Sequence, residues 1–390
     1  MNRTLIITAG VAILLTVLGV WLYLIFFGAP EKPGEIFANL GFERTVQPTT
    51  ITPPPVTDSP SIDTLVDTKE GKLRQLTTRP VAGFAATTTA TSSFIRYVEK
   101  GTGHVYEIDL TNGVETIISR TTTPQTVEAI FSPDANIVAL TAYDNYTTRV
   151  FVGTINEEKL TGITLEPGAE NLAFDSNADV LYSIVRSGVT TGYRHNLTTA
   201  TRAEIFTFNF GELDITWGNG ITDIYLTTKP SPNLESFIYK IVNGVVTPVI
   251  DPGYGMSALI SDETIITTKK VGDTYVSEAW QNNVATKLPT LTLKEKCTFN
   301  TSNHNYFWCA STVEAPSSTY IDDWYKGVTK ADDYLWLINI SKQTAELVAS
   351  PKKLISKSLD MTNLQINVNN TQLFFKDRTD QTLWLLDLAQ

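Results

Sequence analysis

Three stretches far apart in the chain decide the fold: Val105-Tyr106-Glu107-Ile108-Asp109-Leu110, Leu335-Trp336-Leu337-Ile338-Asn339-Ile340 and Leu383-Trp384-Leu385-Leu386-Asp387-Leu388. Each is a strand-like apolar run with an aromatic at its second position. The same slot recurs as Val150-Phe151, Gly192-Tyr193, Ile238-Tyr239 and Thr274-Tyr275. Its aromatics fall at 106, 151, 193, 239, 275, 336 and 384, with spacings of 45, 42, 46, 36, 61 and 48. The 61 contains an insertion, Ala315 to Asp333, and 42 remain without its 19 residues. Around this slot lie other short β-rich runs, such as Phe94-Ile95-Arg96-Tyr97-Val98 and Val180-Leu181-Tyr182-Ser183-Ile184, divided by turns such as Asn112-Gly113 and Asn243-Gly244. Seven units of about four strands predict an all-β, seven-bladed β-propeller. One such sheet cannot bury both faces alone, whereas a ring of sheets can. The aromatic of each third strand is expected to pack against the next blade. A string of β-sandwiches would not repeat one strand type at so steady a period.

Working outward, the ring needs closing. The chain stops at Gln390, just after a third strand, while Leu73-Arg74-Gln75-Leu76-Thr77 precedes the first inner strand, Val81 to Thr87, with nothing else to pair with. Placing 73–77 beside 382–388 supplies the missing outer strand and removes an open sheet edge. Cys297 and Cys309 flank a turn centred near residue 303, so a hairpin there sets them opposite each other. Opposed Cβ atoms suit a disulfide, and two buried thiols are the alternative.

Phe131-Ser132-Pro133-Asp134-Ala135-Asn136-Ile137-Val138-Ala139-Leu140 resembles the F-S-P-D-G hairpin of TolB-type, WD40-like propeller repeats, with Ala135 in place of the glycine. Degenerate copies start at Phe174 and Ile366. The resemblance implies architecture and no particular activity. It extends to single-pass surface proteins of bacteria, which implies a location.

The N-terminal region reads differently. Leu5 to Phe27 is uncharged, long enough to span about 30 Å of hydrocarbon, and carries Trp21 and Tyr23 near its outer end. It is longer than the apolar part of a cleaved signal peptide. Arg3 ahead of it places the N-terminus, residues 1–4, in the cytoplasm and the remainder outside. All 41 acidic residues and 29 of the 30 basic ones follow the run, a net of −12. Residues 28–71 form a Pro/Thr-rich linker, with Pro48, Pro53, Pro54, Pro55 and Pro60 favouring an extended stalk. The expected organisation is thus a transmembrane helix at 5–27, the linker at 28–71 and a propeller ectodomain at 72–390.

Composition and motifs bound the chemistry. A net charge of −11 argues against nucleic acid, and two Cys with three His leave little for a metal centre. His104, His195 and His304 fall in separate units without metal spacing. Asp322-Asp323 and Asp332-Asp333 lack a calcium-loop pattern. Gly255-Met256-Ser257-Ala258 lacks the second glycine of a nucleophile elbow. No catalytic residue, metal or cofactor is therefore expected. The reading is a membrane-anchored scaffold or protein-binding module of the cell envelope without catalysis, its partner an envelope protein. Two alternatives stand beside it: a glycan or small-ligand binder at the channel mouth, and a hydrolase with an unrecognised acidic site. In the insertion, Tyr320, Ile321, Trp324 and Tyr325 lie on one face of a short helix stopped by Gly327. Tyr320, Trp324 and Tyr325 are candidate partner-binding residues if that face is a docking knob, and core residues if it is a plug.

Overall fold

A computed structural model of the chain describes residues 72–88, 93–144, 147–218, 223–242, 244–262, 264–313 and 317–388, together with 14 and 16–18. The expected transmembrane helix therefore lies outside the described residues, apart from four helical positions, and so does the linker. Among the described residues no helix is long and apolar enough to cross a membrane.

Residues 72–388 form seven antiparallel sheets. Blade one is Val81–Thr88, Ser93–Glu99, Val105–Asp109 and Glu115–Ser119, and the later blades repeat this order to blade six, Cys297–Phe299, Tyr306–Ser311, Tyr334–Asn339 and Thr344–Ala349, with a fifth short strand, Glu235–Ser236, added beside Gly253–Ser261 in blade five. Blade seven takes Met361–Ile366, Gln372–Asp377 and Leu383–Asp387 from the end of the chain and Lys72–Gln75 as its outer strand. Lys72 faces Asp387 and Gln75 faces Trp384, so the ring closes as the pattern required. All seven slot aromatics lie on third strands.

First strands of neighbouring blades approach one another and line the channel. At Gly83 the approach is so close that a Cβ would sit 1.8 Å from the Ala129 carbonyl oxygen, which explains the glycine. Five of these inner strands carry a bulge: at Val81/Gly83, Thr126/Glu128, Glu170/Ala173, Tyr254/Ser257 and Thr362/Gln365. A bulge adds local twist and re-aims side chains. The core lies between blades. Phe84, Tyr97 and Ile108 of blade one meet Phe374, Leu383 and Leu385 of blade seven, and Trp308 and Leu335 of blade six meet Phe375 and Trp384. Tyr106, Phe151, Tyr193, Trp336 and Trp384 pack toward the preceding blade, not the next.

The Cys297–Cys309 disulfide is formed, and the two residues are direct cross-strand partners. In the F-S-P-D hairpin Asp134 accepts from Ser132 Oγ at 2.6 Å and from the Asn136 amide at 3.1 Å, while Ala135 adopts φ 57°, a left-handed conformation that glycine takes most readily.

Strand alternation places the connections into first strands and those between second and third strands on one face. The insertion joins Tyr306–Ser311 to Tyr334–Asn339 and so lies on that face. The strand 72–75 runs antiparallel to Leu383–Asp387 and begins on the opposite face.

Candidate active site

The insertion contains the expected helix, Tyr320–Tyr325. Gly327, at φ 75°, donates to the Trp324 carbonyl at 3.0 Å, and Val328 donates to the Asp323 carbonyl at 2.8 Å, which closes the helix in a left-handed turn. Tyr320, Ile321 and Trp324 are buried with Leu293 against the partly buried Leu291 and Tyr275. Tyr275, the slot aromatic of blade five, also donates its hydroxyl to the Ser318 carbonyl at 2.9 Å. Trp324 is 2% exposed and its indole N–H donates to both oxygens of Asp360 at 3.1 Å. This is the plug arrangement. Tyr320 and Trp324 offer no surface to a partner, and Tyr325 alone of the three remains open.

A charged lock holds the plug. The buried Lys296 ammonium bonds Asp360 at 2.6 Å and is also hydrogen-bonded to Asp333. Asp333 accepts from the Met361 amide at 2.8 Å, and its other oxygen is buried without a partner. Burial, chiefly, pushes its carboxyl up to about 6, against the pull of Lys296.

The neighbouring turn, Lys294–Lys296, leads into blade six and points a second set of groups at the channel mouth. Lys294 Nζ lies 2.6 Å from Asp214, on the innermost strand Leu213–Trp217 of blade four, and 3.8 Å from Glu295. Tyr325 donates to the Glu295 carboxylate oxygens at 2.9 and 3.0 Å. Beside the Tyr325 hydroxyl lies Ser257 of blade five, 2% exposed. One ammonium thus separates two carboxyl groups drawn from blades four and six, and the insertion caps one of them.

Glu295 keeps 28% of its side chain open toward the channel while protein surrounds it elsewhere. That burial raises its carboxyl above the ordinary range, opposed by Lys294 and by the Tyr325 hydrogen bond. Burial, then the Glu295 charge, holds the Tyr325 hydroxyl well above its ordinary value, so it serves as a donor. Glu170, on the innermost strand of blade three, is also raised by burial, with Lys229 opposing and Glu212 and Asp214 adding to the rise. A carboxyl of raised proton affinity beside an ion-paired one can do general acid–base work.

The other candidates are dispersed. His104 bonds Thr122 at 3.0 Å, His304 lies 3.2 Å from Asp262, and His195 is on a third strand of blade three, its pKa lowered by burial. Asp322 pairs with Lys326, Asp323 accepts from Thr319, and Asp332 lies 3.7 Å from Lys352. Among the described residues no group of three or more His, Cys, Asp or Glu converges as a metal site.

No protein-family model and no curated protein matches the sequence. Solved structures do match the fold. An oligogalacturonate lyase from Vibrio parahaemolyticus superposes with TM-score 0.57 at 10% identity, covering 83% of this chain and 95% of that one. A virginiamycin B lyase from Staphylococcus aureus gives 0.51 at 13%, covering 82% and 100%. An acylaminoacyl peptidase gives 0.51 at 10%, covering 82% of this chain and 52% of that one. At such identities the likeness shows the fold alone. It nonetheless overturns the sequence-based exclusion of catalysis. Proteins of this architecture include lyases and peptidases, and the missing motifs carried the exclusion by themselves.

The groups that sequence reading missed are Asp214, Lys294 and Glu295. The one available signal was the charged triplet Lys294-Glu295-Lys296 directly ahead of an inner strand, where solvent-facing charge is out of place.

Proposed function

We propose that the protein is an acid–base enzyme of hydrolase type, whose active site is the insertion-side mouth of the propeller channel. The observation that carries this reading is the Lys294 ammonium set between Asp214 and Glu295, with Tyr325 donating to Glu295. Glu295, whose proton affinity burial raises, gives a proton to the leaving-group oxygen. Asp214, ion-paired to Lys294, takes the proton of an attacking water. Tyr325 fixes the Glu295 carboxyl. The lining of carboxylates, an ammonium and a phenol suits a small, hydroxyl-rich substrate such as a sugar. The uncharged run 5–27 and the Pro/Thr linker support a propeller tethered outside a membrane.

The test is an assay of the full chain in detergent against a panel of oligosaccharides, reading released reducing ends. Glu295→Gln should lower kcat by about a hundredfold or more, as expected for loss of a general acid. Because the acid must be protonated, wild-type kcat/KM should fall as pH rises through the raised Glu295 pKa, above the ordinary 4.5. That limb should vanish in the variant. Turnover that is indifferent to Glu295→Gln would remove the proposal, as would no turnover on any member of the panel.

A further inference from the structure

The turn between Gln372–Asp377 and Leu383–Asp387 in blade seven gathers cations from separate parts of the ring. Arg378 lies on it, Lys376 just ahead of it, and Lys330 reaches it from the insertion. Together with Gly327, Asp360, Thr379 and Gln381, Lys330 and Arg378 line a cleft of about 260 Å³. Lys100, from the turn after Ser93–Glu99 in blade one, donates to Gln381 Oε1 at 3.3 Å. The chain carries a net charge of −11, so this concentration of cations runs against its average.

Little of the positive charge is used within the protein. Arg378 gives one Nη2 hydrogen to the Trp324 carbonyl at 2.5 Å and stacks 4.5 Å from its ring. A guanidinium carries five donors, so most remain for the cleft. Asp360 is the one carboxylate in the lining. It is already bound at 2.6 Å by Lys296 and at 3.1 Å by the indole, while Arg378 stands off at 3.9 Å. Among the described residues neither the Lys330 nor the Lys376 ammonium makes a hydrogen bond or ion pair. Burial, reinforced by the charge of Lys100 and opposed by Glu128, pushes the Lys376 ammonium down to about 8.

We propose that the cleft between the insertion and this turn is an oxyanion site, which takes a phosphate or sulfate group on Arg378, Lys330 and the Thr379 hydroxyl. Lys100 and Lys376 supply the long-range attraction. A planar fork with a mobile ammonium is the donor set that tetrahedral oxyanions recruit. The volume of about 260 Å³ admits such a group together with part of a larger ligand that carries it. The site involves none of Asp214, Glu295 and Tyr325, so it stands whether or not the channel mouth is catalytic.

The test uses the full chain in detergent, titrated with sodium phosphate or sodium sulfate against sodium chloride at equal ionic strength. Melting temperature and phosphorus NMR line width are the readouts. Saturable stabilisation by phosphate or sulfate, absent with chloride, is expected. Lys330 is exposed, so Lys330→Gln should leave the anion-free melting temperature unchanged and weaken phosphate binding by about five-fold or more, the loss of one charge-assisted bond. Arg378→Lys, which keeps charge but loses the fork, should also weaken it. Glucose 6-phosphate separates the sources. About tenfold tighter binding than inorganic phosphate means that the group belongs to a larger ligand, and equal binding means a free ion; both support the site. Stabilisation no greater than with chloride overturns it. So does wild-type phosphate binding in both variants.

Discussion

At the scale of single residues, Asp333 shows how burial sets behaviour. Its carboxyl titrates near 3.8 when the chain is unfolded and near 6 in the ring. Between these values the folded protein holds a proton that the unfolded chain has released. The contribution of Asp333 to stability therefore falls as pH rises from about 4 to about 6 and levels off above that. Asp333→Asn lacks this dependence. The unfolding free energy of wild type minus that of the variant, measured by denaturant titration, should decline across the window; a flat difference would show that Asp333 is not held neutral by its site. Little of this was legible in advance. Asp332 and Asp333 are neighbours of the same type, yet one reaches Lys352 at the surface and the other is buried against Lys296. Adjacent residues on one segment point in different directions, and only the packed ring decides which is sealed.

At the scale of elements, the hairpin at 297–309 and the strand at 72–75 each support a separate expectation. Mass spectrometry of non-reduced peptides should recover Cys297 joined to Cys309. Reduction should cost about 2–3 kcal/mol, the chain-entropy value for a short loop. Freely alkylated thiols in the natively folded protein would contradict the bridge. Removing residues 70–79 strips the outer strand from blade seven, the partly buried Leu73, and the bond from the Leu76 amide to the Leu383 carbonyl at 2.8 Å. A few backbone bonds at about 1 kcal/mol each and one apolar side chain at about 2 kcal/mol amount to a melting temperature lower by about 10 °C. An unchanged value would mean that closure is not needed. Both elements were readable because pairing register follows from counting along a strand. The insertion was half readable. The spacing of Tyr320, Ile321, Trp324 and Tyr325 gives a helix and its apolar face, but no spacing says whether that face meets solvent or the Lys296 lock.

At the scale of the molecule, the ring was legible because seven copies of one slot average out the degeneracy of any single blade. The candidate site was not, because it is built only once. Asp214, Ser257 and Glu295 come from blades four, five and six, and a repeat pattern is blind to residues that differ between repeats. The reversed direction of aromatic packing belongs here too: the slot fixes that a ring is needed, while the twist of the sheets fixes which neighbour it meets. The tethered arrangement is tested by protease treatment of intact cells producing the full chain. The propeller should be shaved from the outside while a tag placed before Arg3 survives. Protection of the propeller would reverse the proposed topology.

The strand at 72–75 also has a mechanical consequence. It comes first in the sequence of the ring and is the outermost strand of blade seven. A pull on the chain at Lys72 is delivered to one short ladder, Lys72 to Asp387 through Gln75 to Trp384. That ladder acts as a fuse. Its rupture would uncover the edge of Leu383–Asp387 while six sheets stay folded, turning tension into an exposed pairing surface.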